Sequence, residues 1–390
     1  MWSGLSSYGG FFGCAVLAVV FFKRRGVNVL RGADLLLIGL TFGWLLGRIG
    51  CFAVHDHIGR RVAETPQWVQ DSIGWLAVRY PTTAEFQAAR EAGDEKFVFQ
   101  GGNYQLLDTG SFQKLEQIGP YRFIRPAPQA IWPKSLSPDE WKKAEGEYKY
   151  FKGKETGGEW KFFTKLPEEG WNIQFRHLVF KVQPTGFGHI GIFPEQALNW
   201  LWITDQLKQL NDTKIQVLNV FGYTGASTLA AASAGAHVTH IDASKASVTW
   251  AKNNLELSGL GDRPVRWIVD DAMKYMQREH RRGKKYDAII MDPPSFGRGP
   301  NGEVWKIENK LSEFMEACRN ILSDSPVFLL FTTHSPGFSA LTLENMMRTY
   351  LPLHKKGTFE TGEMFIPDLS SGLNLPSGFY TRWLANREGE

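Results

Sequence analysis

A turn with two glycines is followed, about 20 residues later, by an aspartate, and this pattern suits a cofactor that contains adenosine. The turn is Phe221-Gly222-Tyr223-Thr224-Gly225 and the acidic residue is Asp242. At about this distance an acidic side chain accepts hydrogen bonds from both ribose hydroxyls. The alternative is a tight strand-to-helix turn that binds nothing.

The same turn disfavours a nicotinamide dinucleotide, because it lacks the full G-x-G-x-x-G run that brings a helix N-terminus to a pyrophosphate. S-adenosylmethionine has no phosphate, and needs an acid for its ribose and a polar group for its adenine amine. Asp270-Asp271-Ala272 supplies the polar group. We therefore predict S-adenosylmethionine as the cofactor, held by Phe221, Gly222, Tyr223, Thr224, Gly225, Asp242, Ala243, Asp271 and Ala272.

A carboxylate followed by two prolines predicts where the acceptor binds. The segment is Asp292-Pro293-Pro294-Ser295-Phe296. Consecutive prolines fix φ and remove two N–H donors, so that rigid carbonyls lie beside a carboxylate and an aromatic ring. Such a site suits a planar amine, and we predict that these five residues are catalytic. The glycine-rich residues 297–302 that follow are predicted to be a flexible loop, suited to a lid.

The cysteines bear on the mechanism, since methylation of a pyrimidine at C5 requires a thiolate nucleophile. None of the three cysteines follows a predicted strand, and Cys318 shares one helix face with apolar residues, which predicts a core position. Direct transfer to nitrogen or oxygen is therefore preferred, with Asp292 positioning the acceptor or taking its proton. The nine histidines show no metal-ligand spacing, so no metal is predicted, and only His334 stands at a strand end.

Alternating apolar runs and helical stretches must position these residues. The predicted strands are 216–221, 237–242, 265–269, 286–291 and 327–332, with helices such as 245–257 and 309–322 between them. This alternation predicts an α/β fold with a doubly wound, Rossmann-like parallel sheet. Ligands of such sheets lie across the carboxyl ends of the strands, where the residues named above fall.

Length and composition indicate a folded chain of two or more domains. The chain has 390 residues, of which 43% are hydrophobic and 22% charged, with three cysteines and a net charge of +4.

The first 60 residues carry six Lys or Arg against two Asp, which accounts for the whole net charge. The remainder is neutral, so binding of nucleic acid there requires a local patch. We predict a helical hairpin over 1–60, a linker over 61–100, a small β-rich domain over 101–185 and a methyltransferase domain over 186–390.

The N-terminal region resembles a membrane segment. Residues 4–22 contain no charge, residues 35–54 are interrupted only by Arg48, and Lys23, Arg24 and Arg25 lie between the two runs. An uncharged run of about 19 residues matches the thickness of a bilayer core. We predict membrane association through residues 4–54, with a buried hairpin of a soluble protein as the alternative.

From Gly101 onward the sequence resembles the class I S-adenosylmethionine-dependent methyltransferases, and most closely the bacterial 23S ribosomal RNA large-subunit enzymes. The resemblance covers residues 100–385 and rests on residues 104–108, 193–196, 221–228, 242–245, 271–272 and 292–296. It implies that Asp242 binds the ribose, Asp271 the adenine and residues 292–296 the acceptor base, and it adds Gln196 to the cofactor site. Amine methyltransferases usually carry an aromatic residue where Ser295 stands, which leaves the acceptor atom open.

The first 80 residues resemble prolipoprotein diacylglyceryl transferase. The likeness rests on Tyr8-Gly9-Gly10, on Gly47-Arg48-Ile49-Gly50-Cys51-Phe52 and on Gly59-Arg60, with Tyr8 and Cys51 in place of the family's His and Asn. It implies a fragment in which Arg48 and Arg60 bind lipid.

We therefore predict an enzyme that methylates a nucleobase of ribosomal RNA by direct in-line transfer from S-adenosylmethionine. The alternatives are a lipid-transferase-like membrane protein and a non-catalytic module that only binds the cofactor. Because cofactor and RNA are cytosolic, we expect the methyltransferase domain in the cytoplasm, with the membrane as the alternative location of the hairpin.

Overall fold

The computed structural model describes residues 103–151, 157–210, 214–299, 302–335, 337–351 and 357–386. The predicted hairpin, with Arg48 and Arg60, and the predicted linker over 61–100 lie outside these residues. Within the described part of the chain, no helix combines the length and the apolar character needed to cross a bilayer.

The first seven strands form a five-stranded sheet and a separate hairpin. The sheet contains β1 (Tyr104–Gly110), β2 (Gln113–Ile118), β3 (Tyr121–Pro126), β4 (Gly146–Tyr150) and β5 (Gly158–Phe162), paired in chain order. The hairpin consists of β6 (Trp171–Phe175) and β7 (Leu178–Val182), and a short helix, α1 (Pro138–Trp141), lies between β3 and β4. All pairs are antiparallel except β3 with β4. This region is β-rich, as expected from its short apolar runs.

A seven-stranded sheet follows, flanked by helices. Its strands are β8 (Gln216–Val220), β9 (His237–Asp242), β10 (Val265–Val269), β11 (Ala288–Met291), β14 (Phe328–Thr333), β15 (Gly357–Pro367) and β16 (Asn374–Ala385). The helices are α2 (Ala197–Leu210), α3 (Ala226–Ser233), α4 (Lys245–Leu257), α5 (Ala272–Arg281), α6 (Ile307–Ile321) and α7 (Ala340–Tyr350). A small hairpin of β12 (Phe296–Arg298) and β13 (Val304–Lys306) follows β11.

The strand order is β10-β9-β8-β11-β14-β16-β15, and the first five strands run parallel. Every residue of β11 and β14 is buried, because helices cover both faces of the sheet. Side chains of α2 and α3 pack on one face, and those of α5, α6 and α7 on the other. The predicted doubly wound α/β fold is confirmed. Cys318 is fully buried in the second of these cores, as its helix face predicts.

The last two strands were not foreseen from the sequence. β15 and β16 form a long antiparallel hairpin that joins the sheet through β14. The turn between them lies against the first small sheet, where the Asp108 carboxylate accepts hydrogen bonds from Ser370 Oγ at 2.7 Å and from Trp141 Nε1 at 2.8 Å. Although burial acts in the opposite direction, these donors lower the pKa of Asp108. The contact attaches the five-stranded sheet to the β15–β16 hairpin of the seven-stranded sheet.

Candidate functional site

The register of the parallel strands aligns the predicted site residues at one edge. Val220 pairs with Ile241 and with Met291, and Asp242 pairs with Val269. The residues that follow these strands are therefore neighbours at the carboxyl edge of the sheet, as predicted.

The glycine turn between β8 and α3 has a backbone that few side chains tolerate. Phe221 and Tyr223 have φ values of 60° and 48°, and Gly225 has a φ of 89°. A Cβ on Gly222 would lie 2.4 Å from the His240 ring, so no side chain fits there. Left-handed residues other than glycine cost energy and are retained mostly at functional sites. The turn is therefore a tight backbone cradle at the end of β8.

Asp242 closes this cradle and keeps capacity for a ligand. Its Oδ2 accepts a hydrogen bond from Tyr223 N at 2.9 Å, and its Oδ1 accepts one from Ser244 N at 2.8 Å. Burial raises the pKa of Asp242. An ionised carboxylate offers about four lone-pair directions, so each oxygen retains one for a further donor. Two vicinal ribose hydroxyls would supply one hydrogen-bond donor to each oxygen.

Asp271 and Asp270 differ in how far their carboxylates are already engaged within the protein. Asp271 is the N-cap of α5, where its Oδ1 accepts from Lys274 N at 2.9 Å, and its second oxygen remains for a donor such as an adenine amine. The Asp270 carboxylate is engaged by Arg278 and by Asp271 N. Ala272 is buried at the start of α5 and Ala243 is half-buried beside Asp242. The residues at this edge fit S-adenosylmethionine.

Asp292 is held from both sides at the end of β11. Its Oδ2 accepts a hydrogen bond from Gln196 Nε2 at 3.1 Å, and its Oδ1 lies 3.5 Å from His334 Nδ1. His334 Nε2 in turn lies 3.2 Å from Glu195 Oε1. Burial alone would lower the pKa of His334, but the carboxylates of Asp292 and Glu195 raise it to about 10. The histidine is therefore an imidazolium ion between two carboxylates, and the three groups together carry one negative charge.

A chain of buried amides orients Gln196. Its Nε2 also donates to Thr332 Oγ1 at 3.0 Å, and its Oε1 accepts from Asn199 Nδ2 at 2.7 Å. Asn199 Oδ1 accepts from Nε and Nη2 of Arg382, at 3.0 and 2.7 Å. The structure thus places Gln196 against Asp292, and its predicted contact with the cofactor stays a prediction.

The residues after Asp292 form a rigid corner. Pro294 O accepts a hydrogen bond from Trp305 Nε1 at 2.6 Å, and Ser295 Oγ donates to Ser335 Oγ at 2.8 Å. Pro293 is buried, whereas Phe296 is exposed. Part of the predicted flexible loop over 297–302 is in fact ordered, because Gly297 pairs with Trp305 in the β12–β13 hairpin and Trp305 is buried.

Phe193 connects the glycine turn to the Asp292 cluster. Its ring centroid lies 5.6 Å from that of Tyr223 and 5.3 Å from that of His334. Burial raises the pKa of Tyr223 to about 12, so its phenol is neutral. One aromatic wall therefore spans the predicted cofactor residues and the predicted acceptor residues, and brings them into one site.

Comparison with known proteins identifies the family of this chain. The model of the S-adenosylmethionine-dependent methyltransferase family matches residues 141–330. The crystal structure of the SAM-dependent methyltransferase from Agrobacterium tumefaciens is 38% identical, with a TM-score of 0.68, over 73% of this chain and 91% of that one. SMU.776, a methyltransferase solved in complex with SAH, shares the fold at a TM-score of 0.55 and 17% identity, over 79% of this chain and 83% of that one. The chain belongs to the S-adenosylmethionine-dependent methyltransferases, and S-adenosylmethionine is its cofactor.

Curated relatives match shorter stretches. Ribosomal RNA large subunit methyltransferase K/L of Shewanella frigidimarina is 32% identical over 146 residues, 37% of this chain and 20% of that protein. Ribosomal RNA large subunit methyltransferase I of Klebsiella pneumoniae is 37% identical over 105 residues, 27% of this chain and 24% of that protein. The chain thus spans about a fifth to a quarter of the length of these relatives. The model of the prolipoprotein diacylglyceryl transferase family matches residues 1–91, which bears out the N-terminal resemblance.

Two contacts of this site had no clear signal in the sequence. Glu195 is 139 positions from His334 and Arg382 is 183 positions from Asn199 in the sequence. Only the spacing of Gln196, in the short 3-10 turn before α2, and Asn199, three residues later in α2, is a local pattern that could have joined two members.

Proposed function

We propose that this methyltransferase transfers a methyl group to a base of ribosomal RNA by direct in-line transfer, without a covalent cysteine intermediate. The names of the curated relatives support an RNA substrate, although each match covers only part of that protein. We further propose the division predicted above, with a small β-rich domain over 101–185 and the catalytic domain over 186–390.

The observation that carries this proposal is the fixed carboxylate of Asp292. Gln196 and His334 occupy one direction on each of its oxygens, and each oxygen keeps a second direction. Pro293 and Pro294 have no N–H to donate, so only carbonyl oxygens lie beside it, and Pro294 O keeps one lone pair besides the one that accepts from Trp305 Nε1. A planar N–H group is the complementary ligand, since it donates to a carboxylate and stacks on an aromatic side chain such as Phe296.

The protein's own part in the reaction is to hold and to orient. We assign the ribose to Asp242 and Ala243, the adenine to Asp271 and Ala272, and the methionine end to the turn over 221–225, beside Gln196. S-adenosylmethionine, when bound, supplies a methyl group on a cationic sulfonium, and the net negative charge of Asp292, His334 and Glu195 complements that cation. Asp292 aligns the acceptor base by accepting a hydrogen bond from its N–H group. It takes that proton as the methyl group moves to the nitrogen.

The position of Cys318 supports the direct mechanism. Its thiol is fully buried in α6, 3.9 Å from Met276 Sδ, and burial raises the pKa of Cys318 far above its ordinary value. A buried neutral thiol is a poor nucleophile. No cysteine follows any of the five parallel strands in the sequence.

The test is a single-turnover assay of Asp292→Asn on protein-free ribosomal RNA. We expect the rate to fall by about 10²- to 10³-fold while the dissociation constant of S-adenosylmethionine changes little, since Asp292 contacts the acceptor. The exposed Asp205→Asn on α2 is the matched control. Equal rates for Asp292→Asn and the parent protein would refute the acceptor assignment.

For the N-terminal region we propose that methyl transfer does not require it and that the methyltransferase works in the cytoplasm. The match of residues 1–91 to a lipid-modifying family favours a second role there, binding of an anionic lipid through Arg48 and Arg60. Expression of residues 82–390 beside the full chain, with cofactor binding measured for both, tests whether methyl transfer needs the N-terminal region. A fragment that cannot bind cofactor, beside a full chain that can, would contradict the first proposal.

A further inference from the structure

A run of cations stands outside the site, on the outer side of α5 and in the turn that follows it. Residues 278–285 contain five Arg or Lys and a single Glu. This concentration is unusual in a chain whose residues after position 60 carry no net charge. The edge strand β10 lies next to this helix and adds Arg266.

The one acid of this run, Glu279, is paired with neighbouring side chains. Its side chain is 2% exposed, and its Oε1 lies 3.0 Å from Arg282 Nη1 and its Oε2 3.5 Å from Arg266 Nη1. Tyr286 Oη donates to the same Oε2 at 3.0 Å. Burial would raise the pKa of Glu279, but these partners lower it, so the group stays ionised. One buried carboxylate therefore anchors two guanidinium groups and leaves an excess of positive charge at the surface.

Tyr275 brings a third guanidinium to the same place. The Arg266 and Arg278 guanidinium carbons each lie 5.7 Å from the centroid of its ring. Arg278 and Arg281 lie in α5 and Arg282 is its C-cap, so at i, i+3 and i+4 the three share one face, where Arg278 also pairs with Asp270. The side chains of Arg266 and Arg282 remain 52% and 60% exposed. We call Arg266, Arg278, Arg281 and Arg282 the basic face.

We propose that the basic face binds the phosphodiester backbone of the RNA substrate at a distance from the nucleotide that is methylated. This inference rests on the proposed function. Guanidinium groups match phosphate geometry, and phosphate contacts position a nucleic acid without reading its sequence. The helix that carries the face, α5, is capped by Asp271 of the proposed cofactor site, and its ten residues extend about 15 Å from there.

The composition of the surface favours RNA over a membrane. A helix that binds at a bilayer surface needs apolar side chains to insert. Within residues 263–286, all of them described, Val269 is the only large apolar side chain that is exposed. A polyanion needs no such anchor, because the release of its counterions drives binding.

The test measures how RNA binding depends on salt in the full-length protein. The variant is Arg281→Gln with Arg282→Gln. In it the Glu279 carboxylate keeps its contacts with Arg266 and Tyr286. Each lost phosphate contact reduces the slope of log K against log salt by about 0.7 to 0.9. Between 0.05 and 0.2 M KCl, on protein-free ribosomal RNA, we therefore expect the slope of the double variant to be smaller by about 1.4 to 1.8, with unchanged affinity for S-adenosylmethionine.

Two further variants serve as controls. Arg281→Lys with Arg282→Lys keeps the charges and should keep most of the slope, which separates electrostatics from a loss of folding. Lys142→Gln with Lys143→Gln neutralises two exposed cations just after α1 and should leave the slope unchanged.

Three results would overturn the inference. An unchanged slope in the Gln variant, with RNA methylated by variant and parent alike, refutes the basic face but leaves the proposed function standing. A parent protein that binds cofactor but neither binds nor methylates RNA refutes the proposed function, and the basic face with it. Loss of binding to phosphatidylglycerol vesicles, with an unchanged RNA slope, would assign the face to a membrane instead.

Discussion

Replacement of Asp242 by Asn tests the ribose assignment most directly, because the two side chains have nearly the same shape. Each carboxylate oxygen accepts one backbone amide, at 2.9 and 2.8 Å, and has one direction left for a ribose hydroxyl. Asn offers only one oxygen, and its NH₂ group would face donors. The variant therefore loses at least one charge-assisted hydrogen bond, worth about 1.5 to 3 kcal/mol.

This free energy corresponds to a dissociation constant for S-adenosylmethionine that rises by about 10- to 150-fold. Titration calorimetry at neutral pH measures it, with Asp205→Asn as the control. Because burial raises the pKa of Asp242, the parent should also lose affinity as the pH falls through that pKa, and the variant should lack this dependence. Asp242→Asn binding within about twofold of the parent would show that Asp242 only holds the glycine turn.

Two other replacements test groups around the acceptor site. The pKa of His334 is raised from 6.5 to about 10, so the stability that its imidazolium contributes is complete below about pH 6.5 and is lost as the pH rises through 10. Urea unfolding of the parent should therefore show a larger loss of stability over this range than that of His334→Gln, and parallel curves would contradict the ion cluster. Cys318→Ser places a hydroxyl in an apolar core and should cost about 1 to 3 kcal/mol of unfolding free energy. Its single-turnover rate should be retained, and loss of turnover in a folded Cys318→Ser protein would support a covalent mechanism.

Local patterns in the sequence determined most of the central α/β unit. The predicted bounds of β9 and β10 and of α4 coincide with those observed. These elements carry their own signals: short apolar runs for the strands, and for α4 the capping side chain of Ser244, which accepts from Ser247 N. Because strand ends of a parallel sheet share one edge, the same patterns located Asp242, Asp271 and Asp292.

The tertiary structure alone decided how the acceptor carboxylate is held and where positive charge accumulates. Glu195, Asp292 and His334 come from three distant segments, and no spacing in the chain joins them. Their contacts depend on how the turn over Pro194–Gln196, just before α2, packs against the ends of β11 and β14. The basic run over 278–285 can be read from the sequence, but burial of Glu279 and the approach of Arg266 from β10 turn it into a surface where cations outnumber acids. Periodicity records which residues are buried within an element, whereas the pairing of charges depends on the contacts between elements.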